Sequence, residues 1–318
     1  MINADGERLL FNKTVTVDGQ PETWLLNVED SMQKSLKTIM AKALSEYNRL
    51  PFETWIFAYP AQVVFTVMLV AWTRKVHLSL EKESPKDHLM QYEYYLRKRI
   101  DSLAELCQKS TLSTLQSNTV RSLLLIDLHC VEVVRKILAM KIEGLYDYEW
   151  TKHLRYFYDE KKHRCYVRQA NSVLYYGYEF IGTTARMVLT PQTERMHLAI
   201  TEALQGHYGV HVIGPSGSGK TEIVQNLSRS LGRLHINFNC SESLSFKSIS
   251  RILAGMIQVG AWGSFDSIAK LEPSTLFVLS QNLKAISDSA AEHAERVMFE
   301  GKSMRIDDNF AFFAVTGE

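Results

Sequence analysis

The sequence predicts two structural parts: an α-helical region over residues 1–185, and a partial α/β phosphate-loop domain over residues 186–318 whose sheet is three-layered, mainly parallel and incomplete. Three observations predict this. Apolar residues recur at three- and four-residue intervals through most of the first half. A short β-branched run, VHVIG at 210–214, leads straight into the glycine-rich GPSGSGKT and then into a helical pattern. Further strand-like runs, LHINFN at 234–239 and FAFFAVT at 310–316, alternate with helical stretches, the pattern of a parallel sheet.

In the first part, Leu25, Val28, Met32, Leu36, Ile39 and Ala43 place one apolar stripe on a helix of about five turns. Leu50-Pro51 breaks it, because the residue before a proline is pushed out of helical geometry. A second helix is expected from Pro60 to about Leu80. Its core, AQVVFTVMLVAW, is too short to span a bilayer and is interrupted by Gln62 and Thr66, so a buried helix is the expectation. A third starts near Lys86, and a fourth takes in Val120 to Ile142 with Leu124, Leu128, Val131, Val134 and Leu138 on one side. Charges along these helices read as solvated faces.

After Gly144 the segment becomes dense in Tyr, Trp and Phe, and the alternation in CYVRQANSVLYYGYEF predicts strands and turns. His153, His163 and Cys165 do not make a metal signature, because one short HxC pair lacks a second pair. The aromatics read as packing anchors. A net charge of +1 supplies little attraction for phosphate backbones, so neither nucleic acid nor a membrane surface is an expected partner. Cys107, Cys130, Cys165 and Cys240 are widely spaced and read as reduced thiols of a cytosolic protein, and the N-terminus has no secretory pattern.

Gly214, Gly219, Lys220 and Thr221 fit G-x-x-x-x-G-K-[ST], with Pro215, Ser216, Gly217 and Ser218 between them. The glycines let backbone N–H groups turn inward around phosphates, and the following helix aims its positive dipole end at them. Lys220 is expected to neutralise the β and γ oxygens of ATP, and the Thr221 hydroxyl to bind Mg²⁺. The alternative is a glycine-rich turn without a ligand.

These residues and their flanks resemble a known family. GPSGSGKTEIVQNLSRSLGRLHINFNCSESLSFKSISRILAGMIQVGAWGSFDSI is similar to the first AAA+ module of dynein heavy chains, through the phosphate loop followed by TE, the FNCSE block and GAWGSFD. YYGYEFIGTTARMVLTPQTERMHLAI resembles the entry to that module. ETWLLNVEDSM, AQVVFTVMLVAW, IDLHCVEVV and YDYEWTKHLRYFY resemble the end of the dynein linker. The resemblance implies an ATP-driven microtubule motor, of axonemal rather than cytoplasmic type, in the cytoplasm, cytoskeleton and cilium. It implies that Val188, Leu189, Thr190 and Pro191 flank the adenine, and that Asp266 holds Mg²⁺ through water. Its implied partners are the rest of a heavy-chain ring and the other dynein subunits, with microtubules contacted only through regions outside this sequence.

Two positions depart from the family pattern. The family's FDEFNRI reads FDSIAKL here, so Ser267 stands where a glutamate polarises the attacking water. A serine hydroxyl is not basic near neutral pH, and loss of a positioned base costs about 10²- to 10⁴-fold in rate. The asparagine of the family's TMN segment falls on Gly317. Mg-ATP is therefore expected to bind and to be hydrolysed slowly or not at all; Glu272 is the nearest replacement carboxylate in sequence. A fifth strand, a helical lid and an arginine finger are not found in this sequence, so a fragment of a longer heavy chain is expected, with the strand before the phosphate loop left at a sheet edge. A degenerate scaffold module and an unrelated phosphate-loop kinase or ATPase are the competing readings.

Overall fold

The computed structural model describes residues 1–3, 5–109, 112–142, 144–182 and 187–317. It forms two compact units, Met1–Thr190 and Pro191–Glu318. The junction expected at residues 185 and 186 lies outside the described residues.

The first unit is built on five helices: α1 Pro21–Glu46, α2 Phe52–Ala58, α3 Ala61–Leu80, α4 Pro85–Gln108 and α5 Thr114–Ala139. Prolines open α1 and α4 at the first helical turn, where the missing N–H costs nothing, and Pro51 and Pro60 sit at the N-caps of α2 and α3. Ser113 and Gln116 close a reciprocal capping box at the start of α5. The short α2, unforeseen in the sequence, buries Trp55, whose Nε1 donates to the Ala43 carbonyl at 3.0 Å. A one-turn helix, α6 Tyr148–Thr151, places Trp150 in the core.

Two stripes differ from expectation. In α1 the buried face is Met32, Leu36, Met40 and Ala43, while Leu25 is 52% exposed. In α5 it is Leu123, Ile126, Cys130, Val131, Val134 and Ile137, so the expected Val131 and Val134 are buried while Leu128 points to solvent. The α5 face is rotated because it also buries a charge. Asp127 accepts a bidentate pair from Arg99 of α4, Nε at 2.7 Å and Nη2 at 2.5 Å, and Arg99 Nη1 reaches Tyr47 Oη at 3.1 Å. The reading of the helix charges as solvated faces is thus corrected at this pair: an apolar-only stripe cannot see a buried aspartate that arrives with its own arginine.

Helix α3 is long and apolar enough to cross a membrane, but most of it is buried within this unit. Gln62 and Thr66 are not interruptions of its role. Gln62 Nε2 donates to Tyr176 Oη at 2.8 Å and to the Glu179 carbonyl at 2.6 Å, and its Oε1 accepts from the Ile181 N–H at 2.9 Å. Thr66 Oγ1 lies 3.3 Å from the same Tyr176 hydroxyl. The aromatic segment forms an antiparallel meander, β1 Arg155–Asp159, β2 Arg164–Gln169 and β3 Ser172–Tyr175. The Tyr156 N–H ties it to Thr73 Oγ1 of α3 at 3.0 Å. Trp150, Tyr156, Tyr176 and Tyr178 are buried as packing anchors, and Cys165 is fully buried, which pushes its thiol up.

The second unit opens with α7 Pro191–Gln205 and carries a four-stranded parallel sheet in the order β4-β9-β6-β5, from β4 Val210–Ile213, β5 His235–Asn239, β6 Trp262–Asp266 and β9 Ala311–Thr316. Helices α8 Lys220–Ser230 and α7 lie on one face. On the other, α9 Phe246–Val259 and α10 Pro273–Ala291 enclose a core of Ile249, Leu253, Ile257, Phe265, Leu279 and Phe312. The hairpin β7 Arg296–Phe299 and β8 Lys302–Arg305, not anticipated in the sequence, adds Val297 and Phe299 to that core. Among the described residues β4 pairs on one side only, so the strand that feeds the phosphate loop is a sheet edge.

Candidate nucleotide site

The loop between β4 and α8 follows from its glycines. Gly217 and Gly219 take φ of +77° and +81°, a region that costs an L side chain strain and costs glycine none. Gly219 is the N-cap of α8, so the free N–H groups of the first turn open into the loop. Val224 and Leu227 are fully buried and fix the helix.

Lys220 turns back across the loop, its Nζ donating to the Gly214 carbonyl at 2.6 Å and the Pro215 carbonyl at 2.7 Å. The ammonium is thus held by two neutral acceptors within the loop. Thr221 Oγ1 donates to Asp266 Oδ1 at 2.9 Å and lies 3.2 Å from Oδ2. A hydroxyl that gives its proton to a carboxylate keeps its lone pairs for a cation. The helix N-terminus, one ammonium, one hydroxyl and one carboxylate form the donor set that a triphosphate with a hard divalent cation requires. Among the described residues Asp266 has no ion-pair partner, so its charge is balanced only by neutral donors.

The second of those donors was not singled out in the sequence. Asn237 Nδ2 donates to Asp266 Oδ2 at 3.0 Å from the neighbouring strand β5. One position pair away, His235 Nε2 meets Ser264 Oγ at 2.8 Å, and burial, assisted by the Arg229 charge, pushes the His235 imidazole down to about 4. The available signal was the polar alternation of His235, Asn237 and Asn239 within a parallel strand, where a continuous apolar run is the norm.

Ser267 follows Asp266 in left-handed geometry, φ +58°, with its N–H donating to the Val315 carbonyl at 2.8 Å. Gly317 lies just beyond β9, with open space where a Cβ would stand. Glu272 is the exposed N-cap residue of α10, within reach of Ser274 Oγ at 3.4 Å. Of the residues expected to flank adenine, Val188, Leu189 and Thr190 end the first unit and Pro191 begins α7 in the second.

Residues 176–317 match a protein family described as the hydrolytic ATP binding site of the dynein motor region. Dynein axonemal heavy chain 6 of Homo sapiens is 34% identical over 309 residues, covering 96% of this chain and 7% of that protein. The 1-beta heavy chain of the flagellar inner arm I1 complex of Chlamydomonas reinhardtii is 32% identical over 97% of this chain and 7% of its own length. Mouse dynein axonemal heavy chain 3 is 31% identical over 98% of this chain and 8% of its own length. The chain belongs to the dynein heavy chain family. It spans under a tenth of the length of these dynein relatives, and the similarity runs through both units, including the helices and meander that precede the family-matched segment.

Proposed function

We propose that this dynein heavy-chain segment binds Mg-ATP at residues 214–221, with Asp266 completing the metal site. The observation that carries the reading is the contact between Thr221 and Asp266 beside a glycine-built loop, because it pairs a hydroxyl with a carboxylate, the oxygen ligands that would hold a divalent cation accompanying a nucleotide. In this reading Gly214 to Gly219 supply main-chain N–H groups to the phosphates. Lys220 leaves the Gly214 and Pro215 carbonyls for phosphate oxygens, and Val188 to Pro191 border the base. Bound Mg²⁺ would supply charge neutralisation and alignment of the phosphates. Asp266 would hold it through water, and the first turn of α8 would orient the phosphate chain.

The first unit is read as linker and the second as the N-terminal part of the first AAA+ module. In a complete heavy chain the activity served would be ATP-linked movement on microtubules, in the cytoskeleton of the ciliary axoneme. The partners would be the rest of the ring and the dynein subunits. Ser267 and Gly317 support a second reading, in which the module holds nucleotide as a structural or regulatory element with little turnover. Neither position offers a base or an amide to a water at the γ-phosphate.

Thermal unfolding with and without Mg-ATP, beside Lys220→Ala, tests the binding claim. A ligand present at 100 times its Kd and bound only to the folded form stabilises by about 2.7 kcal/mol. A shift in the unaltered chain that vanishes in Lys220→Ala is the expected result; no shift in either removes the proposal. Turnover of Ser267→Glu in a chain carrying the complete module separates the two readings. A gain of about 10²-fold or more assigns the impairment to the missing base.

A further inference from the structure

Strands β5 and β6 run parallel with Asn237 opposite Ser264 and Asn239 opposite Asp266. Phe238 and Phe265 alternate to the other side, where they stack on each other at 5.2 Å within the α9 and α10 core. His235, Asn237, Ser264 and Asp266 therefore share the face that α8 covers, and they form a polar row. Ser264 is fully buried and is joined to His235. Asn237 is exposed at the open end of the row, where its amide reaches past Ser264 to Asp266 Oδ2.

The two oxygens of Asp266 are held differently. Oδ2 receives Asn237 and, at longer range, Thr221, whereas Oδ1 receives Thr221 alone. An ionised carboxylate has about four lone-pair sites, so Oδ1 keeps capacity on the side of the Thr221 hydroxyl. A lysine or arginine at position 237 would anchor the carboxylate equally well but would compete with a metal for its charge. An amide anchors it and leaves the charge in place.

We propose that Asn237 is a positioning residue for the divalent cation of this site: it pins Asp266 Oδ2 so that Oδ1 and the Thr221 hydroxyl face the metal together. This rests on the Mg-nucleotide reading above. Outer partners of this kind set the orientation of a metal-binding group, and their loss typically lowers metal affinity by about 10- to 100-fold. The effect expected here lies at the lower end, about tenfold, because Thr221 still holds the carboxylate from one side.

The test is a titration of the whole chain with a fluorescent N-methylanthraniloyl ATP, over a Mg²⁺ series and in EDTA, for the unaltered chain, Asn237→Val and Asn237→Thr. Expected is a Mg²⁺ half-saturation about tenfold higher in Asn237→Val, with the affinity in EDTA and the melting temperature held. Asn237→Thr, the same shape with a donor at shorter reach, should recover part of the loss. Unchanged Mg²⁺ dependence in Asn237→Val overturns the proposal and leaves the nucleotide site standing. So does an equal loss with and without metal, or a lowered melting temperature in both variants, since a purely structural asparagine would give that. If the unaltered chain shows no Mg²⁺-dependent binding, the proposal falls together with the reading beneath it.

Discussion

Asp127 in the first unit and Asp266 in the second are both aspartates taken out of bulk water, and the chain treats them in opposite ways. Asp127 is wholly buried between two helices, and burial alone would push its carboxyl up. A guanidinium forked onto both oxygens opposes that shift. Asp266 sits half-buried at the end of a strand and, among the described residues, its carboxylate receives only a hydroxyl and an amide. A permanent counter-charge makes an aspartate part of the scaffold, because neither partner can leave without stranding the other. Neutral donors fix an aspartate's direction and keep its charge available to something that comes and goes. The contrast separates a carboxylate that serves the fold from one that serves a ligand.

The strongest way to break this comparison is at Arg99. Arg99→Met strands Asp127 in the core and should destabilise the first unit by about 3–5 kcal/mol, read by chemical denaturation. Arg99→Met with Asp127→Leu should recover most of that loss, because an ion pair replaced by packed apolar groups is often neutral. If the double variant is as unstable as the single, the pair contributes more than mutual neutralisation.

Lys220→Ala should leave folding intact and weaken ATP binding by roughly 10- to 100-fold, since hydrogen bonds to charged groups contribute about 1.5–3 kcal/mol each. Isothermal titration with Mg-ATP reads it. Retained affinity would mean the phosphates do not lie over the loop. Asp266→Asn should behave unlike the Arg99 variant, with stability changed by less than about 1 kcal/mol and the Mg²⁺ dependence of binding lost. A large stability loss there would make Asp266 another scaffold carboxylate and erase the distinction.

The smallest effect concerns His235. Its folded pKa of about 4 lies below the ordinary 6.5, so the unfolded chain takes up a proton at a higher pH than the folded one. The stability contributed by neutral His235 is complete above about pH 6.5 and is lost progressively as pH falls toward 4. His235→Gln should flatten the fall in melting temperature over that window. An unchanged slope would place the acid sensitivity elsewhere.

The sequence showed the helices of the first unit well and their faces less well. Periodicity locates a helix, but which face turns inward depends on what arrives opposite it. The α5 stripe moved because Asp127, polar by any scale, is buried through Arg99, which lies 28 residues away. The short α2 was missed for another reason: it is held by Trp55, which bonds to Ala43 of α1, rather than by a local pattern. The β7–β8 hairpin did carry a local signal that was passed over, the two-residue Glu300-Gly301 turn in which both residues take positive φ. The phosphate loop was legible because its chemistry is contiguous in sequence. Asn237 was not, because its partner lies on another strand and only the register of β5 against β6 brings them together.

Gln62 has a consequence for how the chain can be dissected. Its side-chain amide, deep in the first unit, has three bonds, and all of them go to the segment between residues 176 and 181. A helical piece cut after the β-meander, at residue 175, would keep every helix and every strand of that unit. It would also leave a buried amide facing nothing, at a cost of about 1–3 kcal/mol for each group left unsatisfied. The expression boundary for an isolated first unit therefore falls after Ile181, beyond the last strand. A shorter piece that aggregates would report a severed glutamine and the loss of buried Tyr176, Tyr178 and Phe180, rather than an inability of the helices to fold.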